Sequence, residues 1–336
     1  MKRMSTPETP HKKKFPVGWT LKFGISAMLL GVIFWLLPTD QVWQAILRIP
    51  IWLLATVLVL FLAGHAVAAA KWWLLVTDGS NIAYSAALRA HMAGLAANLC
   101  LPGVAGGDVI RAGMVFHGSG NKARVALGSL ADRLLDTIAL LLLAGIGAAI
   151  TFGAQAFTAG PLPLVVAFVL LAILGCAVVV IVLPRVAKGR VLTKLVTAIE
   201  EIRHRIGRLA LCLALSIMIQ AGFVALNVSL AMASGLTVPA SAWYYAWPLA
   251  KLIAIVPISL AGLGVREASL AALLAPLDAD PAKVVAVGLL WQGVIFATGI
   301  LGGLILLLTS KRKHSTGATT DSGNLLSTQP LVRRDG

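Results

Sequence analysis

Six apolar runs decide what this chain can become: Leu21–Leu37, Ile51–Val76, Val125–Ile150, Leu162–Leu183, Leu209–Ala233 and Val284–Leu308. Each is near the ~20 residues that an α-helix needs to cross a bilayer. No water reaches the backbone at that depth, so only helices and closed barrels persist there. None of the runs alternates with the period of two that a lipid-facing barrel strand shows, which leaves helix. Composition agrees, with 59% of the 336 residues hydrophobic and 12% charged and a mean hydropathy of +0.90, values that no water-soluble domain of this size tolerates. The expected fold class is all-α, a polytopic integral membrane protein.

A net charge of +15 invites a nucleic-acid reading, but the basic residues gather in Met1–Lys22, Lys122–Arg124, Arg185–Arg208 and Lys311–Arg334. Those are the places where apolar runs end. The pattern is a topology signal, with anionic lipid head groups as the expected contacts and no nucleic acid. Cys100, Cys176 and Cys212 lie inside apolar stretches without ligand spacing and read as small core residues. The run Leu21–Leu37 follows the basic stretch His11-Lys12-Lys13-Lys14 as a signal peptide would. Trp35, Pro38, Asp40 and Trp43 follow it in place of a small-residue cleavage site, so it reads as the first membrane helix.

Two polar breaks interrupt the apolar pattern at corresponding places. The first is Pro102-Gly103-Val104-Ala105-Gly106-Gly107-Asp108-Val109-Ile110-Arg111. The second is Pro257-Ile258-Ser259-Leu260-Ala261-Gly262-Leu263-Gly264-Val265-Arg266-Glu267. Helix breakers and ions at membrane depth persist only where protein buries them or where they line a wet cavity. Were Tyr84–Leu101 a complete crossing, the basic loop 184–208 would face outside, against the positive-inside rule. If Tyr84–Leu101 and Gly107–His117 form a re-entrant hairpin from the cytoplasm, every basic loop falls inside. Trp243–Pro257 and Gly264–Pro276 then form a hairpin from the opposite side, leaving Asp278 and Asp280 outside. Six full spans plus two oppositely oriented re-entrant hairpins, with both termini cytoplasmic, read as an inverted repeat.

The expected organisation is a basic cytoplasmic tail over 1–20, a membrane domain over 21–309 and a disordered Ser/Thr/Gly-rich tail over 310–336. Within it, 184–208 reads as a cytoplasmic amphipathic segment, with Val191, Leu192, Leu195, Val196, Ile199, Ile202 and Ile206 at helical spacing among arginines and lysines.

The candidate site follows from the intramembrane ions. Asp132 and Asp136 are four residues apart and share a helix face near the midplane. Arg111, Arg133, Lys251 and Arg266 are the cations available to them, and the guanidinium fork suits a carboxylate or a lipid phosphate better than an ammonium does. Glycines ahead of Asp108 and Arg266 leave helix N-termini facing inward, where free N–H groups favour phosphate. The head-group set is therefore Arg111, Arg266, Asp108, Asp132, Arg133, Asp136, Glu267 and Asn98, with breaks at Pro102, Gly106, Gly107, Pro257, Gly262 and Gly264. The competing reading is that these ions only neutralise one another and lock the hairpins. Asn98, one turn before Pro102, either lines the cavity or caps the break. His65 and His91 read as hydrogen-bonded core residues, and the tryptophans at 19, 43, 52, 72, 73, 243 and 247 as interface anchors.

These residues resemble a family. Asn98-x3-Pro102-x4-Gly107-Asp108-x2-Arg111, then Ser129, Ala131-Asp132-Arg133 and Asp136, then Pro257-x3-Ala261-Gly262-Leu263-Gly264-x-Arg266-Glu267 are similar to the flippase-like transmembrane domain of the lysylphosphatidylglycerol synthase superfamily, over roughly residues 20–310. The family commonly has Glu-Arg where this chain has Asp132-Arg133. The resemblance implies a bacterial inner-membrane protein that moves, or helps move, an anionic or glycosylated lipid between leaflets. Members that make lysyl-lipid carry a soluble aminoacyl-transfer domain after the membrane part, and this sequence stops at Gly336.

The expected function is lipid translocation with the head group guided by the Arg and Asp residues at the hairpins. Small-solute or ion-coupled secondary transport, and a non-transporting partner of a glycosyltransferase or lipid synthase, are the alternatives. No Walker loop, metal set or Ser/His pair is present in the sequence, so neither an enzyme nor a cofactor or metal requirement is expected.

Overall fold

The computed structural model of the chain describes residues 31–77, 82–100, 106–116, 122–158, 206–255 and 262–317, with a few isolated positions elsewhere. Among the described residues every regular element is helical, the longer ones being α1 (Thr39–Arg48), α2 (Ile51–Val76), α3 (Tyr84–Cys100), α4 (Gly106–Phe116), α5 (Lys122–Phe152), α6 (Ile206–Ala233), α7 (Ala240–Ile253), α8 (Val265–Leu274) and α9 (Pro281–Gly317), beside the short turns Gln155–Thr158 and Ala275–Leu277. Proline marks several starts. Pro38, Pro50 and Pro239 sit in extended backbone before α1, α2 and α7, and Pro281 opens α9, where a missing N–H costs nothing. Asp280 Oδ1 accepts the Ala282 N–H at 3.0 Å beside it.

The helices α2, α5 and α6 and the stretch Pro281–Leu308 of α9 are long and apolar enough to cross a membrane. They coincide with four of the six expected spans to within three residues at each end. Of the other two, Leu21–Leu37 is described only in part, with 31–36 helical, and Leu162–Leu183 lies outside the described residues apart from two positions. Residues 184–205 of the amphipathic segment also lie outside them, and Ile206–Arg208 begin α6. One boundary moves. The last helix runs past Ser310 to Gly317, because an established span propagates readily into Lys311, Arg312 and Lys313, good helix formers whose charge suits a helix C-terminus.

Two pairs of shorter helices, α3 with α4 and α7 with α8, fold back on themselves. Asn98 Oδ1 accepts the Gly107 N–H at 2.8 Å, and a Cβ on Gly94 would lie 2.7 Å from the Gly107 carbonyl, so α3 and α4 lie antiparallel with backbones nearly touching. In the second pair Gly262 (φ 79°) packs on Ala254 and brings α8 back along α7. Met92 faces Gly302 and Leu99 faces Gly299, whereas Glu267 faces Gly288 and Arg266 reaches Gln292. The two pairs therefore approach the middle of α9 from opposite ends.

Small residues make the close crossings. Added to Gly147 of α5, a Cβ would meet the carbonyl carbon of Tyr244 at 2.6 Å and the Ser241 oxygen at 2.8 Å. The main core lies among α2, α5, α6, α7, α8 and α9 around Phe61, Phe223, Trp243, Trp247 and Trp291. The short helix α1 buries Val42 and Ala45 against Ala282 and Ala286 at the start of α9 and leaves Trp43 and Leu47 exposed.

Gly147→Leu is expected to lower stability by about 2 kcal/mol or more through this overpacking. Gly145→Leu, where nothing lies within 4 Å, should melt like the wild type in a detergent unfolding assay.

Candidate functional site

A lone lysine organises the site. Lys71 stands near the end of α2 with 1% of its surface exposed. Its Nζ lies 2.5 Å from Asp136 Oδ1 and 3.1 Å from Asp132 Oδ1, and it donates to Ser216 Oγ at 2.8 Å. Ser216 in turn donates to Asp136 Oδ1 at 2.9 Å. The shared helix face of Asp132 and Asp136 is thus used as the spacing predicts, with Lys71 between them.

The pairing continues outward. Arg111 Nη2 donates to Asp132 Oδ2 at 2.9 Å and lies 3.4 Å from Asp108 Oδ1. Arg133 Nε donates to Asp108 Oδ2 at 2.5 Å, and its Nη2 pairs with the same oxygen. The result is an alternating chain, Arg133–Asp108–Arg111–Asp132–Lys71–Asp136, strung across α5, α4 and α2. An unpaired ion at this depth costs several kcal/mol, and alternation gives every member an opposite neighbour. The Arg111 guanidinium also lies 4.6 Å from the Trp72 ring centroid.

Arg111 Nη1 approaches His91 Nδ1 at 3.4 Å, and His91 Nε2 lies 3.1 Å from His65 Nδ1. Arginine only donates, so His91 accepts on Nδ1, and a neutral His91 then donates from Nε2 to His65. The expectation that these histidines are hydrogen-bonded in the interior holds, and both also line the cavity described below.

The second hairpin has its own ion pair. Gly264 (φ 81°) precedes α8, and its N–H donates to Glu267 Oε2 at 2.8 Å. Arg266 Nη2 donates to Glu267 Oε1 at 2.5 Å and to Gln292 Oε1 at 3.1 Å, and its guanidinium lies 5.4 Å from the Trp247 ring centroid. Glu267 is fully buried. Each hairpin thus presents one arginine backed by a tryptophan and held by a carboxylate.

A cavity of about 250 Å³ lies between the tips, lined by Asn98, Gly107, Asp108, Arg111, Asp132, Arg133, Asp136 and Arg266 together with His65, His91, Gln220, Lys251 and Trp291. A second, of about 220 Å³, shares Asn98, Arg133, Asp136, Gln220, Lys251 and Arg266 and adds Leu99, Leu140, Ile255, Gln292 and Phe296. Its wall reaches the flank of the molecule, since Ile255 is 46% and Phe296 41% exposed.

Seven of the eight residues singled out from the sequence line the first cavity. Glu267 stands behind Arg266 as its partner. Asn98 does both jobs considered for it, capping Gly107 and lining the wall. Gly106 opens α4, and Gly262 and Gly264 shape the second break, while Pro102 and Pro257 lie outside the described residues. Sequence reasoning missed Lys71, Ser216, Gln220 and Gln292. Lys71 carried the signal, being a lone cation within the apolar span Ile51–Val76. The tryptophan reading needs correction. Trp43 and Trp52 are exposed as interface anchors should be, but Trp72, Trp243 and Trp247 are buried, two of them because a guanidinium in an apolar interior gains from an aromatic face. Among the described residues, no group of three or more His, Cys, Asp or Glu side chains could hold a metal ion.

Lys71→Met leaves Asp132 and Asp136 without their shared cation, so it is expected to cost about 3–5 kcal/mol. Adding Asp136→Asn to it should recover part of that loss, and additive losses in a double-mutant melting cycle would contradict the pairing.

No curated protein matches the chain. The family model described as lysylphosphatidylglycerol synthase TM region matches residues 19–303, a stretch that takes in both hairpins, the ion chain, three of the four long apolar helices and most of the fourth. The chain belongs to the lysylphosphatidylglycerol synthase TM region family of membrane proteins.

Proposed function

We propose that the protein translocates an anionic or glycosylated lipid between the leaflets of a bacterial inner membrane. In this reading the head group passes through the ion-lined cavity while the chains stay in the bilayer. The observation that carries it is the junction of two unlike cavities. One is walled by Arg111, Arg133, Asp108 and Asp136. The other adds Leu99, Leu140, Ile255 and Phe296 and reaches the molecular flank. A small solute needs no apolar side door, whereas a lipid needs a polar path joined to one.

Six spans and two re-entrant hairpins entering from opposite faces, with both termini cytoplasmic, form the scaffold of this reading. The antiparallel short pairs, whose arms approach the middle of α9 from opposite ends, support it. The chain acts by moving its substrate and not by covalent chemistry, and a glycosyltransferase or lipid-synthesis enzyme is the partner class that would supply the lipid. Arg111, in the second turn of α4, and Arg266, in the first turn of α8, are each already paired, so the head group passes by exchanging contacts with a network that stays nearly neutral throughout.

Purified protein in vesicles carrying a head-group-intact, acyl-labelled phosphatidylglycerol should expose the inner-leaflet label to a membrane-impermeant quencher, and Asp136→Asn should slow this about tenfold or more, a loss of ~1.4 kcal/mol of barrier lowering. Quenching that halts at the outer-leaflet fraction with wild-type protein would refute translocation. In cells, cysteines placed in Gly118–Asn121 should react only from the cytoplasm and those in Asp278–Asp280 only from outside. Labelling of both from one side would refute the opposed hairpins.

A further inference from the structure

We infer that Lys251 receives the phosphate of a phosphodiester lipid whose polar head is uncharged, such as a polyol or a sugar; the assignment rests on the lipid-translocation reading above. The reason lies in how the buried charges pair. Asp108 holds Arg133 and Arg111, Asp132 holds Arg111 and Lys71, and Asp136 holds Lys71. Glu267 holds Arg266. Among these described residues five cations, with Lys251, stand against four carboxylates, and Lys251 is the one whose partner is neutral. Its Nζ donates to Gln220 Oε1 at 2.9 Å.

Position and a second donor point the same way. Lys251 lines both cavities, so it stands where the polar path joins the apolar one. Gln292 lines the second cavity, is 4% exposed, and its Nε2 has no hydrogen-bond partner. A buried donor left unmatched costs free energy until an acceptor arrives. An oxygen-rich monoanion between Lys251 and Gln292 would cancel the surplus charge of this set and satisfy the amide. A cationic head group would instead add charge to a site that already carries an excess, and a zwitterion would bring its own ammonium beside Lys251.

The test uses the full chain in detergent with three lipids of matched acyl chains, resolved as bound adducts by native mass spectrometry: phosphatidylglycerol, zwitterionic phosphatidylcholine and the cationic triester ethyl-phosphatidylcholine. Wild-type protein should bind phosphatidylglycerol about tenfold more tightly than phosphatidylcholine and bind the triester least, the size expected for one charge-assisted contact. Lys251→Gln should remove that preference and Lys251→Arg should keep it. Because Lys251 makes no direct ion pair and a glutamine in its place can still donate to Gln220, Lys251→Gln should melt no lower than wild type. A lowered melting temperature with the lipid ranking unchanged would give Lys251 a structural role and overturn the assignment. Equal affinity of wild type for all three lipids would also overturn it while leaving translocation standing. Binding of none of them would remove both.

Discussion

Lys71 is the interaction on which the rest of the site depends. It comes from an apolar span, and its ammonium holds two carboxylates of α5 and a hydroxyl of α6 at once. Three long helices are thereby tied at one buried point. Asp132, so held, holds Arg111, and Arg111 belongs to the returning arm of the first hairpin. The placement of that hairpin thus traces back through two ion pairs to one amino group. Hydrophobic burial cannot supply such registration in a bilayer, because lipid tails are as apolar as the helix surfaces, so polar ties and close glycine contacts must do it.

The two hairpins solve one problem with different parts. Each must end a helix inside the protein and leave its amide groups satisfied. In the first, Asn98 reaches across from the outgoing arm to the Gly107 N–H. In the second, Glu267 turns back within its own first turn to the Gly264 N–H. The carboxylate then serves twice, as cap and as counter-ion to Arg266, whereas in the first hairpin Arg111 takes its closer contact from Asp132 on α5 and shares Asp108 of its own arm with Arg133. The proposed inverted repeat is therefore a likeness of placement, with an arginine over a tryptophan early in each returning arm, and its ties are wired differently.

Much of this was legible in the residues alone. Span positions follow from apolar run length, and the breaks from proline and glycine beside charge, because the bilayer punishes exceptions to both rules. The site residues could be named for the same reason, since an ion at depth has few places to be. What could not be read was pairing. Asp132 and Asp136 share a face by spacing, but nothing local says that their partner lies on α2, some sixty residues earlier. Trp72 and Trp247 looked like interface residues because they stand near the ends of apolar runs, and only the tertiary arrangement brings guanidinium groups over their rings. Gln292 was hidden in a run of apolar neighbours, where a neutral amide leaves little trace in hydropathy.

The contact between Glu267 and Gly288 has a consequence for how this sequence can drift. A Cβ on Gly288 would stand 2.9 Å from the Glu267 Cγ, so the aliphatic stem of the capping carboxylate occupies the space a side chain at 288 would need. The two positions are therefore not free to vary separately. An alanine at 288 is compatible with the cap only if the acid at 267 is shortened or its stem takes another rotamer, and either change moves the oxygen that holds Arg266. Among relatives, substitution at these two sites should be correlated, with the glycine persisting in lineages that keep a glutamate, although neither residue is near the other in sequence.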